Sequence, residues 1–526
     1  MHQPASIFND VIGPVMVGPS SSHTAASVRI GQIIRSMMGG HVSKVVFRFS
    51  SQGSLANTFS GQGSAMGLGA GIMGFTADDA RMADALEIAQ SAGVKIEFII
   101  TDEPCDHPNL YKATMWDDKG NSLTAEMVSI GGGMIQVRKI EDIPVHMDGG
   151  YYETVFLLGD LESIDAEMIY EKAVNFLTAS NIPFDDILLS HNIKGAYLLN
   201  IKSSVPLEET AHGFVFPGKR LNIAPVLPIL SHKDHQGLFN TAEEMLLIAK
   251  REELAPWELA VKYECLRGGI THQEVMEKMR EIVQIIRRTM IFSAQEEREY
   301  HDRILGRQAY KLDGTELLKG SVMNEVIKSI TLMMEAKSSM KVIVAAPTAG
   351  SCGVVPGTLW AVAGALKAEE EELVKAMLAA GLIGIIIAEH ATFAGEVGGC
   401  QAECGSASGM AAAGIVQLMG GTVEQALDAA SMALQNVLGM VCDPVADRVE
   451  VPCLGKNIMC GCNALAMAQL SMSGFDKVIP LDETVKAMAQ VGDMIPMELC
   501  CTGRAGLSVQ KTSEEIWQKL NGKARE

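Results

Sequence analysis

Beyond residue 241 one pattern dominates the chain: apolar residues recur at i, i+3 and i+4. This is the spacing of a helix with one buried stripe. It is found in 242–252, 257–267, 272–290, 322–336, 354–366, 370–380, 407–419, 423–439 and 483–494. Only 342–345 reads as a strand there, so the second half is expected to be all-α with Gly-rich loops. Hydrophobic residues make up 48% of the chain and aromatic ones only 5%, with 31 Met and 51 Gly. Helices of that composition pack closely through small side chains. A chain of 526 residues is too long for one core, and about three domains is the expectation.

The first half mixes elements. Residues 44–50 and 95–101 are rich in β-branched and aromatic residues and read as strands. Residues 79–92 have helical spacing, and 125–139 read as a strand pair around Gly131-Gly132-Gly133. A second unit follows: strand 152–158, helix 165–179, strands 186–191 and 196–201. Its β-α-β-β order suggests a ferredoxin-like or ACT-like module, although 208–230 show no clear closing pattern. The expected fold is therefore an α+β domain over 1–148, a possible ACT-like unit over 149–224, a linker over 225–240 containing Pro225 and Pro228, and an all-α domain over 241–526.

Charge and cysteine usage exclude some classes. A formal net charge of −20 argues against a nucleic-acid partner, because phosphate binding is driven by Lys and Arg. The most apolar stretch, 373–387, includes Lys375 and is interrupted by Gly381 and Gly384, so it reads as a core helix rather than a membrane span. Residues 1–9 lack the basic and apolar regions of a signal peptide. Eleven Cys in that context point to a reducing cytoplasm, where thiols serve metals or packing.

Among them Cys400, Cys442 and Cys453 sit beside small or turn-forming residues, in Gly-Gly-Cys400-Gln, Cys442-Asp-Pro and Val-Pro-Cys453. Thiolates from three separate loops are what a cubane iron–sulfur cluster needs if one iron is to stay open. Spacing alone leaves the alternative of three small packed hydrophobes. Two hydroxyl-rich turns also stand out. Ser20-Ser21-Ser22-His23-Thr24 follows Gly18-Pro19, and Thr348-Ala349-Gly350-Ser351 precedes a helix. Each can cap a helix or hold a carboxylate on backbone N–H groups, and the two roles are compatible.

The longer words that contain these residues are Gly-Pro-Ser-Ser-Ser-His-Thr (18–24), Ala-Pro-Thr-Ala-Gly-Ser-Cys-Gly (346–353), Gly-Gly-Cys-Gln-Ala-Glu-Cys-Gly-Ser-Ala (398–407), Cys-Asp-Pro-Val-Ala (442–446) and Val-Glu-Val-Pro-Cys (449–453). In this order they resemble the iron–sulfur-dependent L-serine dehydratases (L-serine ammonia-lyases). The first word belongs to that family's β part and the others to its α part, so the chain resembles a fusion of the two. The resemblance implies a 4Fe-4S cluster on Cys400, Cys442 and Cys453, and dehydration of L-serine to pyruvate and ammonia. It also implies an oxygen-sensitive enzyme acting on a small amino acid, and a homo-oligomer, a dimer. His23 becomes the candidate base. Ser20, Ser21, Ser22, Thr24, Thr348, Ala349, Gly350 and Ser351 become candidate substrate contacts. His107-Pro108-Asn109 is similar to another family word, and a turn explains it equally.

The chain departs from the family pattern in several places. Where the β part usually has Gly-His-Gly-Thr-Asp, this chain has Gly61-Gln62-Gly63-Ser64-Ala65. Gln does not titrate and cannot be a base. One extra residue precedes Cys400, and Asp447-Arg448 replaces Gly and an apolar residue. An Arg there could reach a substrate carboxylate, or the pair could be a solvated turn. Residues 521–526 contain no Cys, so the tail-cysteine cap of some members is not expected. Elimination from another small β-substituted amino acid or hydroxy acid, or an inactive binding or sensor relative, are the competing readings.

Overall fold

A computed structural model describes residues 3–207, 218–295, 304–314 and 320–522. The N-terminal region is α/β with mixed sheets, and the C-terminal region is mostly helical. After the short strand β1 (Val15–Val17) come β2 (Lys44–Ser50), β3 (Lys95–Thr101), β4 (Leu110–Trp116), β5 (Ser122–Gly131), β6 (Met134–Ile140) and β7 (Ile143–Met147). The last six form one sheet in the order β3-β2-β4-β5-β6-β7, with only β2 and β3 parallel. Helix Ala26–Met37 buries Ile30, Ile33, Ile34 and Met37 in one core with Phe47, Phe49, Tyr111 and Met127 of the sheet. The sequence had shown no signal for β4 or β7.

The second unit contains β8 (Tyr152–Asp160), helix Ser163–Ala179, β9 (Asp186–His191), β10 (Ala196–Ser203) and β11 (Lys219–Ile223). Its antiparallel sheet runs β11-β8-β10-β9. The closing strand β11 lies in the part of 208–230 that had no clear pattern, and 208–217 lie outside the described residues.

In the helical region, Ala242–Glu252 and Val354–Leu366 have the expected bounds. His272–Gln295 runs five residues past its expected end and Val423–Gln435 stops four short, and two further elements differ more. Helix Glu370–His390 runs ten residues past the expected end, because Gly381 and Gly384 do not break it. They open a groove instead. A Cβ on Gly381 would lie 2.9 Å from Ile7 Cγ2, and one on Gly384 only 2.0 Å from Val11 Cγ1. The other is Glu450–Met472, where no helix was expected and Cys453, after Pro452, was placed in a loop. That proline stands in the first turn, where a missing N–H is tolerated. Cys453 is therefore on a helix and not in a loop. Two helical stretches, Ala349–Leu366 and Glu370–His390, are long and apolar enough to cross a membrane, and 78% of each apolar window is buried inside the protein.

The N-terminal segment belongs in space to the helical region. A π-helical turn, Ile7–Val11, sits in the glycine groove, its N-terminus bound by Glu264, which accepts from Ser6 Oγ at 2.5 Å and Ile7 N at 2.9 Å. Beyond it β1 pairs antiparallel with β12 (Val342–Val344). We expect Gly384→Ala to lower stability by about 1–3 kcal/mol through overpacking, more than helix propensity returns. Adding Val11→Ala should restore part of the loss. Urea unfolding of the single and double variants checks both.

Candidate functional site

Three π-helical turns occur among the described residues, and two of them carry site groups: Ser21–Ala25 and Gln401–Gly405. Such turns are wider than α turns and are frequent at functional sites. The Ser20 hydroxyl caps the first by accepting from His23 N at 3.2 Å. The turn runs directly into Ala26–Met37, so Ser20 to Thr24 do form the helix entry. All five residues are buried.

His23 is completely enclosed. Its Nε2 lies 2.8 Å from Thr58 Oγ1, whose own proton goes to the Ser54 carbonyl at 2.6 Å. Nε2 must therefore donate, which leaves Nδ1 as the basic atom. Nδ1 faces Ser20 Oγ at 3.2 Å, Ser22 Oγ at 3.1 Å and Glu396 Oε1 at 3.3 Å. Ser22 Oγ also donates to Glu396 Oε1 at 2.5 Å. Burial pushes the Glu396 carboxyl up, but with the His23 ring protonated its hydrogen bond and charge outweigh burial and hold the group near 2. Glu396 comes from the helical region, so the pair bridges the two halves of the chain.

Thr348 caps the turn Ala349–Ser351, accepting from Ser351 N at 3.2 Å, and its hydroxyl donates to Glu403 Oε1 at 2.7 Å. Ala349 N donates to Ser21 Oγ at 3.2 Å, which ties the two hydroxyl-rich turns together. Glu403 lies against Gly350 and Gly395. A Cβ on either would come within 2.6 Å of its carboxyl oxygens. Burial raises the Glu403 carboxyl to about 8, and Cys400 and Glu396 push the same way. Neither Glu396 nor Glu403 was singled out in the sequence. The available signal was that Glu403 is the only ionisable residue, thiols aside, between 397 and 423, a lone charge in an apolar, Gly-rich stretch.

Cys400, Cys442 and Cys453 are buried, at 1%, 4% and 2% exposure. Gln401 fixes the first by donating from N to Met440 O at 3.0 Å and accepting from Gly439 N at 2.9 Å. Cys442 N donates to Leu499 O, and Cys501 N to Cys442 O at 2.8 Å. Asn457 clamps Cys453 to the Thr348 loop through Cys453 O at 2.7 Å and Gly350 O at 2.8 Å. The hydrogen bond from Cys404 lowers the Cys400 thiol below its usual range, while burial raises Cys453. Cys400 acts electrostatically on both other thiols. Lys456 Nζ stands beside them, donating to Val441 O at 2.6 Å and Asp443 Oδ1 at 3.0 Å.

This donor set fits a thiolate-bound cluster: soft ligands, buried, with a cation alongside. Among the described residues no three His, Cys, Asp or Glu side chains converge on a single ion. A multi-iron cluster does not require that, because each Cys binds a different iron.

Two departures acquire a place. Gln62 is buried, and its Nε2 donates to Cys501 Sγ at 3.3 Å, so the position is not on the surface. Cys501 also lies beside the Cys442 thiol and helps raise it. Asp447 is buried rather than solvated. It accepts from Trp517 Nε1 at 2.6 Å, and Arg448 Nη1 lies 3.8 Å from Glu450. Asn109 is fully buried, and neither of its amide atoms is bonded among the described residues. The last four residues, 523–526, lie outside the described residues.

With this geometry in hand, the chain can be set beside known proteins. A mostly helical half joined to an α/β half, meeting at a thiol-rich seam, is the architecture. The family model "Serine dehydratase alpha chain" matches residues 233–508. The chain is 36% identical over 283 residues to the L-serine dehydratase alpha chain of Peptoniphilus asaccharolyticus, covering 53% of this chain and 97% of that one. It is 44% identical over 217 residues to the probable L-serine dehydratase alpha chain of Bacillus subtilis (strain 168), 41% of this chain and 72% of that one. It is also 39% identical over 146 residues to the same organism's probable beta chain, 28% of this chain and 64% of that one. The chain therefore belongs to the L-serine dehydratase family, with beta and alpha parts fused.

Glu403 generates a prediction for the protein without cofactor. Its proton is kept in the folded state up to about pH 8 but released near 4.5 when unfolded. Folded protein thus binds the extra proton, and stability should fall as pH rises from about 4.5 to 8. Glu403→Gln should remove that slope and be the more stable protein at pH 8. Thermal melts across this range measure it.

Proposed function

We propose that this protein is an iron–sulfur-dependent lyase that dehydrates L-serine to pyruvate and ammonia. The observation that carries the reading is the seam itself, where an oriented imidazole with a carboxylate counter-ion meets three buried thiols and a protonated carboxyl. Cys400, Cys442 and Cys453 would hold a 4Fe-4S cluster. Bound there, the cluster would supply a Lewis acid with an open iron, which makes a hydroxyl a better leaving group.

The chain's own residues account for the rest. His23 Nδ1 takes the α-proton. Glu396 and Ser22 orient the ring and stabilise the imidazolium, as a buried carboxylate does for a base in other enzymes. The Ser20 hydroxyl and the N–H groups of the two turns, with Ser21, Ser22, Thr24, Thr348, Ala349, Gly350 and Ser351 shaping them, hold the substrate carboxylate. Glu403, protonated at neutral pH, gives its proton to the departing hydroxyl, which leaves as water. The enamine formed tautomerises and hydrolyses to pyruvate and ammonia. The proton taken by His23 and the one lost by Glu403 balance over the cycle.

A second reading keeps the chemistry and changes the substrate. It is favoured by the uncharged Gln62, buried against Cys501. We also infer an ACT-like module for 149–224, which the β11-β8-β10-β9 order supports.

Anaerobically reconstituted protein should carry about four iron and about four sulfide per chain. Substituting Ser for Cys400, Cys442 or Cys453 should remove them. His23→Ala should lose about 10²–10⁴-fold in turnover and keep the cluster spectrum. A colourless anaerobic protein with full activity would sink the proposal. Faster turnover of another β-substituted amino acid in a substrate panel would establish the second reading.

A further inference from the structure

The buried charges around the thiols leave one cation without a partner. His23 has Glu396, and Lys456 has Asp443. Lys337 has none: it is 0% exposed, and its Nζ makes no hydrogen bond among the described residues. Burying an ammonium that donates to nothing is strongly unfavourable, and natural proteins bury Lys when something pairs with it. An anion absent from the polypeptide is the simplest partner.

The position of Lys337 indicates which anion. It lies in the last turn of helix Ser321–Ser338, on the face that carries Ile330 and Met334 seven and three residues earlier. That face packs on the loop leading from Thr348. Met334 Sδ is 4.0 Å from Cys352 Sγ, and a Cβ on Gly353 would lie 3.1 Å from both Ile330 and Met334. The loop is clamped to Cys453 by Asn457. Lys337 and Lys456 both lie within electrostatic reach of Cys453, and Lys456 also reaches Cys400.

We propose that Lys337 is the counter-charge and N–H donor for the sulfur site built on Cys453, pairing with an anionic iron–sulfur cluster and positioning it. This rests on the cluster reading above. A cubane held by three thiolates is net negative in its oxidised state. An ammonium donating to one of its sulfurs, from the Cys453 thiolate or the core, retains the cluster and favours its reduction. With no cluster in place the same ammonium destabilises the fold.

The opposite signs make the test. Lys337→Met keeps length and removes charge; Lys337→Arg keeps charge. After anaerobic reconstitution, K337M should lose iron to a chelator at least tenfold faster than wild type. At fixed potential its reduced-to-oxidised ratio should be about tenfold lower, equivalent to about 59 mV for one electron. K337R should stay within a few-fold on both measures. In the cluster-free state the order should reverse, with K337M melting above wild type. Unchanged iron retention and potential in K337M, or a cluster-free K337M less stable than wild type, overturns the proposal. Unchanged potential with a raised KM assigns the ammonium to substrate and also overturns it. If wild type itself takes up no iron and sulfide, the cluster reading fails and this inference with it; if wild type and K337M load alike, only the inference fails.

Discussion

The docking of residues 3–17 onto the helical region is the constraint on which the rest depends. In sequence this segment precedes the α/β region; in space it lies in the core of the other half, with Ile7 and Val11 against Gly381 and Gly384. Glu264 binds its start, and the β1–β12 ladder of three residue pairs fixes its end. The candidate base lies only six residues past that ladder. A slip of one residue would turn every β1 side chain to the opposite face and carry Ser20 to Thr24 away from Glu396. The seam is thus specified by close packing upstream of the chemistry, rather than by the polar contacts within it.

Those polar contacts separate two carboxyls that lie seven residues apart. Glu396 faces an imidazole and a hydroxyl donor and stays ionised. Glu403 faces one hydroxyl, two glycines and a neighbouring thiol, and keeps its proton. Environments that push paired groups in opposite directions are how a single site holds both an acid and a base. The glycines matter because side chains at 350 and 395 would occupy the space of the Glu403 carboxyl.

Much of this was legible in the sequence where the signal was local. Strands Lys44–Ser50, Lys95–Thr101 and Asp186–His191 were bounded by composition alone. The hydroxyl-rich turns and the thiols announced themselves by type and by the Gly and Pro around them. What failed depended on a partner distant in sequence. Gly381 and Gly384 looked like breaks because the segment that fills their groove lies more than 370 residues upstream. Cys453, after Pro452, looked like a loop residue because the place of that proline in a first turn depends on where the helix begins. Strands Leu110–Trp116 and Ile143–Met147 are defined by pairing, not by strong alternation. Glu396, Glu403 and Lys337 are single charges whose burial becomes visible only when the surrounding helices close over them.

Those buried charges also connect function to stability. Without cofactor, the site contains a carboxyl and thiols raised by burial and an ammonium with no partner, each making the empty fold less stable than an apolar seam would be. Binding a cluster would deprotonate the thiols, satisfy the ammonium and add bonds between Cys400, Cys442 and Cys453, which are carried by three segments converging from across the helical region. Cofactor binding energy would then become folding energy. Because the same region supplies Glu396 to His23, an ordered thiol site and an aligned imidazole should arise together. A seam of this kind has little tolerance for apolar repacking: replacing its charges would stabilise the empty protein while removing what the reaction requires.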